Sequence, residues 1–181
     1  PFVGEEDYKL PTDGDGRKVM VIGAGPAGLT AAELMAKRGF KVTVYEKEAV
    51  AGGQVYLGSR PPHKEKLNWC IEDLVTACEK LGVEIKYSAE VTKALVEAEK
   101  PYAVICATGG NAVKPKSIEG TDKECVYTPT EILNGSVQPQ NKKIAVIGSG
   151  MTGLETAELL TTKNNKIIVV EMADDVAPGV W

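Results

Sequence analysis

A single histidine, His63, occurs in the 181 residues. A histidine-bound metal therefore has no partner set, and a nucleophilic triad has no base other than His63, which lies in the Arg60 to Lys66 loop and reads as solvated. The four cysteines, Cys70, Cys78, Cys106 and Cys125, form no CxxC or CxxxxC pair, so metal, cluster and redox-dithiol readings lack local support and ordinary reduced thiols are expected. Charge of one sign is also lacking. Twenty-one basic and 25 acidic side chains are interspersed to a net −4, which excludes the one-sided basic surface that nucleic acid or anionic lipid would need. No apolar run approaches the roughly 20 residues of a membrane helix, and no basic, apolar leader precedes the first strand pattern. A soluble, cytoplasmic protein with no metal, nucleic-acid or membrane partner is the expectation.

What the chain has is glycine in register. From Lys18 to Glu46 it reads KVMVIGAGPAGLTAAELMAKRGFKVTVYE, an apolar run, then Gly23, Gly25 and Gly28, a helical stretch, and a second apolar run closing on an acid. In such a βαβ unit Gly23 permits the tight turn, Gly25 lets the backbone approach a pyrophosphate, and Gly28 lets helix and strand pack closely. The amides that open the helix can meet phosphate. Glu46 stands 23 residues beyond Gly23, where a carboxylate accepts hydrogen bonds from the hydroxyls of an adenosine ribose. A lone GxGxxG is a weak signal; here Ala32 and Ala36 are small on the helix face, Gly39 closes the helix, and Val42 and Val44 alternate into the second strand.

Residues 1–16 read as an irregular lead-in. After Glu46 and Lys47, Gly52, Gly53 and Gln54 form a glycine loop where backbone can approach a ligand. Leu67, Ile71, Leu74, Cys78 and Leu81 step at helical spacing, with Gly82 as a cap. Val83, Ile85 and Tyr87 alternate as a strand, Val91 follows in an extended piece, and Tyr102 to Ala107 reads as a strand buried on both faces, running into Thr108 and Gly109. This gives a first unit over 17–112. Prolines 115, 129 and 139 mark 113–140 as a crossing segment, with a short helix only at Pro129 to Leu133.

Then the opening pattern returns as KKIAVIGSGMTGLETAELLTTKNNKIIVVE, in which Gly148, Gly150 and Gly153 match Gly23, Gly25 and Gly28 at an offset of 125. Ala157, Glu158, Leu159 and finally Glu171 match Ala32, Glu33, Leu34 and Glu46 at the same offset. The expected fold is α/β: two Rossmann-like βαβ dinucleotide-binding units with parallel sheets, the second, over 141–181, following the first and cut short.

These motifs resemble the two-dinucleotide flavoproteins of the pyridine nucleotide-disulfide oxidoreductase type, in which a NAD(P)-binding domain is inserted into a FAD-binding domain. Within that group GAGPAG, the GGQ after the acid and the loop RPPHKEKL are most similar to the C-terminal half of NADH:flavin oxidoreductases of the enoate reductase and 2,4-dienoyl-CoA reductase type. The resemblance implies that Gly23, Gly25, Pro26, Ala27 and Gly28 hold the FAD pyrophosphate and Glu46 the ribose, with Lys47 beside it and Gly53 and Gln54 nearer the flavin. It likens Val91 to the residue whose backbone meets adenine, and Thr108 with Gly109 to the segment that touches FAD at the crossover. Gly148, Gly150 and Gly153 would take the second nucleotide, Glu171 its ribose, and Glu155 resembles an acid near the nicotinamide.

Three departures qualify it. The redox cysteine pair of thioredoxin and glutathione reductases is missing, which removes a dithiol mechanism. The family's later FAD-closing segment does not appear before Trp181, so the flavin site is expected to be incomplete. Pro1 to Glu5 resembles the stretch after a last cluster cysteine, so the chain is expected to be part of a longer parent carrying an iron–sulfur cluster and a second flavin.

The expected chemistry is hydride transfer from NADH to FAD with electrons passing onward, needing no catalytic side chain because the cofactors carry the redox step. NADH is expected over NADPH because Glu171 would repel a 2′-phosphate. Alone, the chain is expected to be inactive and to self-associate through exposed sheet edges. The alternative is an ADP- or FAD-binding module without turnover.

Overall fold

The computed structural model describes residues 9–177. The Pro1 to Glu5 stretch and Trp181 lie outside the described residues. The chain separates into two compact units, one of residues 1–55 with 68–109 and the other of 56–67 with 110–181.

In the first unit the alternation of apolar residues produces a four-stranded parallel sheet, ordered β3-β2-β1-β4, from β1 (Lys18–Ile22), β2 (Lys41–Tyr45), β3 (Glu84–Lys86) and β4 (Ala103–Cys106). Helix α1 (Pro26–Lys37) joins β1 to β2, and it ends where Gly39 takes a left-handed φ of 85° that its missing side chain permits. A short helix α2 (Gly53–Gly58) and helix α3 (Trp69–Lys80) precede β3. Val19, Val21, Val42 and Val44 point to one face, where Leu29 and Ala32 of α1 and Ile71 and Cys78 of α3 close over them. All of these are nearly or fully buried, and each fully buried aliphatic side chain contributes about 1.5–3 kcal/mol.

The structure departs from sequence expectation in four places. Strand β4 is not buried on both faces: Ala103 and Ile105 pack on the core, but Val104 and Cys106 are exposed, because β4 is an edge strand and α1 and α3 cover the other face. Residues 93–99, unassigned in the sequence, form helix α4 (Lys93–Glu99), started by the Thr92 hydroxyl accepting the Leu95 amide. The glycine pair does not end in open loop: Gly53 and Gln54 begin α2. Of the α3 stripe, Leu67 and Leu81 lie beyond the helix and are exposed, so its buried face is Ile71 and Cys78 with Leu74 partly covered.

In the second unit β5 (Lys143–Ile147), α6 (Met151–Thr161) and β6 (Lys166–Val170) form the repeated βαβ, with its two strands parallel and in register from Lys143 against Lys166 to Ile147 against Val170. Helix α5 (Pro129–Leu133) lies where the sequence places it, fixed by a reciprocal capping box between Thr128 and Glu131 and packed on α6.

Two candidate dinucleotide sites

The first fingerprint closes the carboxyl end of β1. Gly23 has φ 103° and its amide donates to the Tyr45 carbonyl at 2.7 Å; a Cβ there would lie 2.4 Å from the Ala107 carbonyl oxygen. A Cβ on Gly28 would lie 1.9 Å from the Gly23 carbonyl oxygen, so the helix can approach the turn only because this residue has no side chain. Gly25 differs. Its φ of −75° suits any residue and a Cβ would meet nothing within 4 Å, so the fold itself does not require glycine there.

Gly25 is also the N-cap of α1, with no side-chain cap bond, whereas Thr92 and Thr128 cap α4 and α5 with their hydroxyls. Pro26 and Ala27 follow as exposed first-turn residues. Open space beside uncapped helix amides fits a dinucleotide pyrophosphate, because amide groups without intrahelical partners and the positive end of the helix dipole both favour an anion.

Around this turn the fold gathers several of the residues singled out in the sequence. Glu46, at the carboxyl end of β2, is 7% exposed; its Oε2 accepts the Ala24 amide at 2.7 Å and its Oε1 the Glu48 amide at 2.9 Å. The Gly52 amide donates to the Ala24 carbonyl at 2.9 Å, and a Cβ on Gly53 would lie 3.4 Å from the Gly25 Cα, so the glycine pair is folded against the fingerprint. The Cα of Thr108 lies 3.6 Å from the Cβ position of Gly23, and Gly109 next to it has φ 66°. Ala89 and Ser88 donate their amides to the Glu46 and Glu48 carbonyls at 2.8 and 2.9 Å, which holds the segment leading to half-buried Val91 beside the acid. Lys47 is exposed and its ammonium lies 3.9 Å from the Glu48 carboxylate, a surface pair. Gln54 is exposed in the first turn of α2.

The second fingerprint repeats this geometry. Gly148 has φ 96° and donates its amide to the Val170 carbonyl at 2.8 Å; a Cβ on Gly153 would lie 2.2 Å from the Gly148 carbonyl oxygen. Gly150 caps α6 without a side-chain bond, and a Cβ on it would meet nothing within 4 Å. Glu171 follows β6, and its Oε2 accepts both the amide and the hydroxyl of Ser149, at 2.8 and 2.7 Å. Its Oε1 accepts the amides of Met172 and Ala173 at 2.8 and 3.0 Å. The Ser149 hydroxyl, then the Ser149 and Ala173 amides, hold the Glu171 carboxyl down at about 2 from its usual 4.5. Glu155, in the second turn of α6, forms an ion pair with Lys64 of the RPPHKEKL loop. His63, beside Lys64, is exposed.

Sequence reasoning missed Ala24, Ser149 and Lys64. The first two act through a backbone amide at the variable position of the glycine motif, which carries no residue-type signal, and Ser149 stands out only when the two copies are aligned.

Two glycine turns of the same geometry, each followed by an acid on the neighbouring strand, define a protein built to hold two dinucleotides on parallel α/β units. The chain belongs to the pyridine nucleotide-disulphide oxidoreductase family, whose pattern matches residues 17–180. Membership implies binding of FAD and NAD(P)H. The chain is 38% identical over 164 residues to an NADH oxidase of Thermoanaerobacter brockii, covering 89% of this chain and 25% of that one. To a bilirubin reductase of Mediterraneibacter gnavus it is 36% identical over 167 residues, covering 92% and 26%. A 2-naphthoyl-CoA reductase complex superposes with a TM-score of 0.88 at 33% identity over 97% of this chain and 26% of that one. The chain thus spans about a quarter of the length of these relatives. None of the helices among the described residues is long and apolar enough to cross a membrane.

Proposed function

We propose that this chain is the dinucleotide-handling part of a flavin-dependent oxidoreductase, with the first fingerprint holding FAD and the second NADH. Held by the Gly23 turn with Glu46 and by the Gly148 turn with Glu171, FAD and NADH would supply the chemistry, hydride transfer from nicotinamide to flavin and onward passage of electrons to an iron–sulfur cluster and a second flavin in a longer parent. The chain's own residues bind and orient. The amides at the start of α1 and α6 receive the pyrophosphates, the open faces of Gly25 and Gly150 admit them, and Glu46 and Glu171 select ribose.

The observation that carries this reading is the repetition at an offset of 125, which extends from the glycines to the bond from the Ala24 or Ser149 amide to Oε2 of Glu46 or Glu171. A fold that needed the acid only for structure has no reason to leave Gly25 and Gly150 facing open space in both copies. The test is anaerobic addition of NADH to the FAD-loaded parent protein. Bleaching of the flavin absorbance supports the reading. An unbleached protein that gains only melting temperature with ADP is a nucleotide-binding module instead.

NADH rather than NADPH follows from Glu171. Its low pKa keeps it anionic, no arginine lies in residues 172–181, and Asp174 and Asp175 add negative charge nearby in sequence, all unfavourable to a 2′-phosphate. Glu171→Arg in the parent should move the ratio of kcat/KM values toward NADPH by about tenfold or more; an unmodified parent that already prefers NADPH would show that Glu171 does not select the ribose.

A further inference from the structure

The two acids have different unused capacity. A carboxylate offers about four acceptor positions, two on each oxygen. Glu46 uses one on each, for the Ala24 and Glu48 amides, which leaves one on each oxygen for the two adjacent hydroxyls of a ribose. Glu171 uses all four, for the Ser149 amide and hydroxyl on Oε2 and the Met172 and Ala173 amides on Oε1. The amide of Ser149 is the counterpart of the Ala24 amide, but its hydroxyl has no counterpart in the first unit, where the residue is alanine. That hydroxyl is held from both sides. Ser149 is fully buried, and its Oγ also accepts the Ala177 amide at 2.9 Å, tying residues 172–177 back over the turn.

We infer that Ser149 is a positioning residue that makes the second site an exchangeable one: its hydroxyl occupies the acceptor position on Glu171 that a ribose 2′-hydroxyl takes, so nucleotide binding replaces a hydrogen bond rather than adding one. The first site, with Glu46 open, gains the ribose bonds outright and retains its nucleotide. A resident cofactor and a departing substrate are thereby distinguished by one hydroxyl within the same repeated fold. The inference rests on the proposed assignment of NADH to the second fingerprint.

The test is anaerobic titration with NADH of the FAD-loaded parent protein, its flavin reduced beforehand with dithionite so that NADH is bound and not oxidised, followed by NADH fluorescence, in the unmodified protein, Ser149→Ala, Ser149→Cys and Glu171→Gln, with 2′-deoxy-NADH as a second probe and melting temperature as a check on folding. Cysteine keeps the branching of serine with a larger and only weakly donating sulfur, so it serves if alanine unsettles the turn. Ser149→Ala and Ser149→Cys should bind NADH more tightly, by about tenfold for alanine, and should leave 2′-deoxy-NADH affinity unchanged, since the serine bond then has no competitor. A structural role alone would move both probes together. If Glu171→Gln weakens NADH binding while the Ser149 variants bind both probes as the unmodified chain does, or more weakly, the inference fails and the site assignment stands. If Glu171→Gln leaves NADH binding unchanged, or NADH does not bind at all, the assignment fails and the inference with it.

Discussion

Gly25 and Gly28 stand three residues apart and answer to different neighbours, one to space and one to backbone. Gly28→Ala places a methyl group against the Gly23 carbonyl and should destabilise the first unit by about 2 kcal/mol, because neither the turn nor the helix can give way cheaply. Gly25→Ala meets nothing and has a permitted φ, so melting temperature should hold or rise slightly while ADP affinity falls by about tenfold. Calorimetric melting paired with ADP titration separates the two; equal loss of stability in both would remove Gly25 from the pyrophosphate site. Glu171 offers a pH test. An unfolded chain takes up its proton near 4.5, the folded one only near 2, so stability is whole above pH 4.5 and is lost as pH falls toward 2. Asp13, held low by Arg38, and Glu131, held low by Thr128, act in the same direction. Ser149→Ala removes the largest cause at Glu171, so its melting temperature should fall less steeply across that window than that of the unmodified chain.

Among the elements, those with a local stop or start signal were legible and those defined by their neighbours were not. Helix α5 has proline at its first position and Thr128 with Glu131 at capping-box spacing, and it spans the residues expected. Thr128→Ala should cost about 1 kcal/mol of unit stability, seen as an earlier urea midpoint, because the Glu131 amide loses its acceptor and the glutamate loses the hydroxyl donor while keeping the Thr128 amide. An unchanged midpoint would mean that the proline alone starts the helix. Helix α4 is seven residues long and has only the Thr92 cap to announce it, too little for periodicity to register. The exposure of Val104 and Cys106 on β4 depends on which strand ends up at the edge, which an apolar run cannot tell.

At the scale of the whole molecule, the second sheet has two strands among the described residues, with Ile147, Ile168 and Val170 each at least half exposed. Such a pair presents unpaired backbone and apolar side chains to any strand that approaches. The purified 181-residue chain should therefore self-associate at high concentration, measured by light scattering, and should reduce an added dye with NADH far more slowly than its parent. A clean monomer removes the first expectation, and dye reduction at the parent's rate the second.

By itself the sequence determined the two βαβ units, their glycine turns and the acid 23 residues beyond each first glycine, because a strand, a tight turn and a helix start are encoded within a few neighbouring residues. The family resemblance followed from the same local patterns. Only the tertiary structure decided that Gly53 packs on Gly25, that Thr108 reaches Gly23, that Lys64 pairs with Glu155, and that Glu171 is filled with donors where Glu46 is half open. Apart from the local amides of Glu48, Met172 and Ala173, those contacts join distant segments, up to 91 residues apart for Lys64 and Glu155, through the order of strands and the path of the loops between them. Periodicity and spacing carry no term for that order, and so the chemistry of the two acids became visible only once the chain was folded.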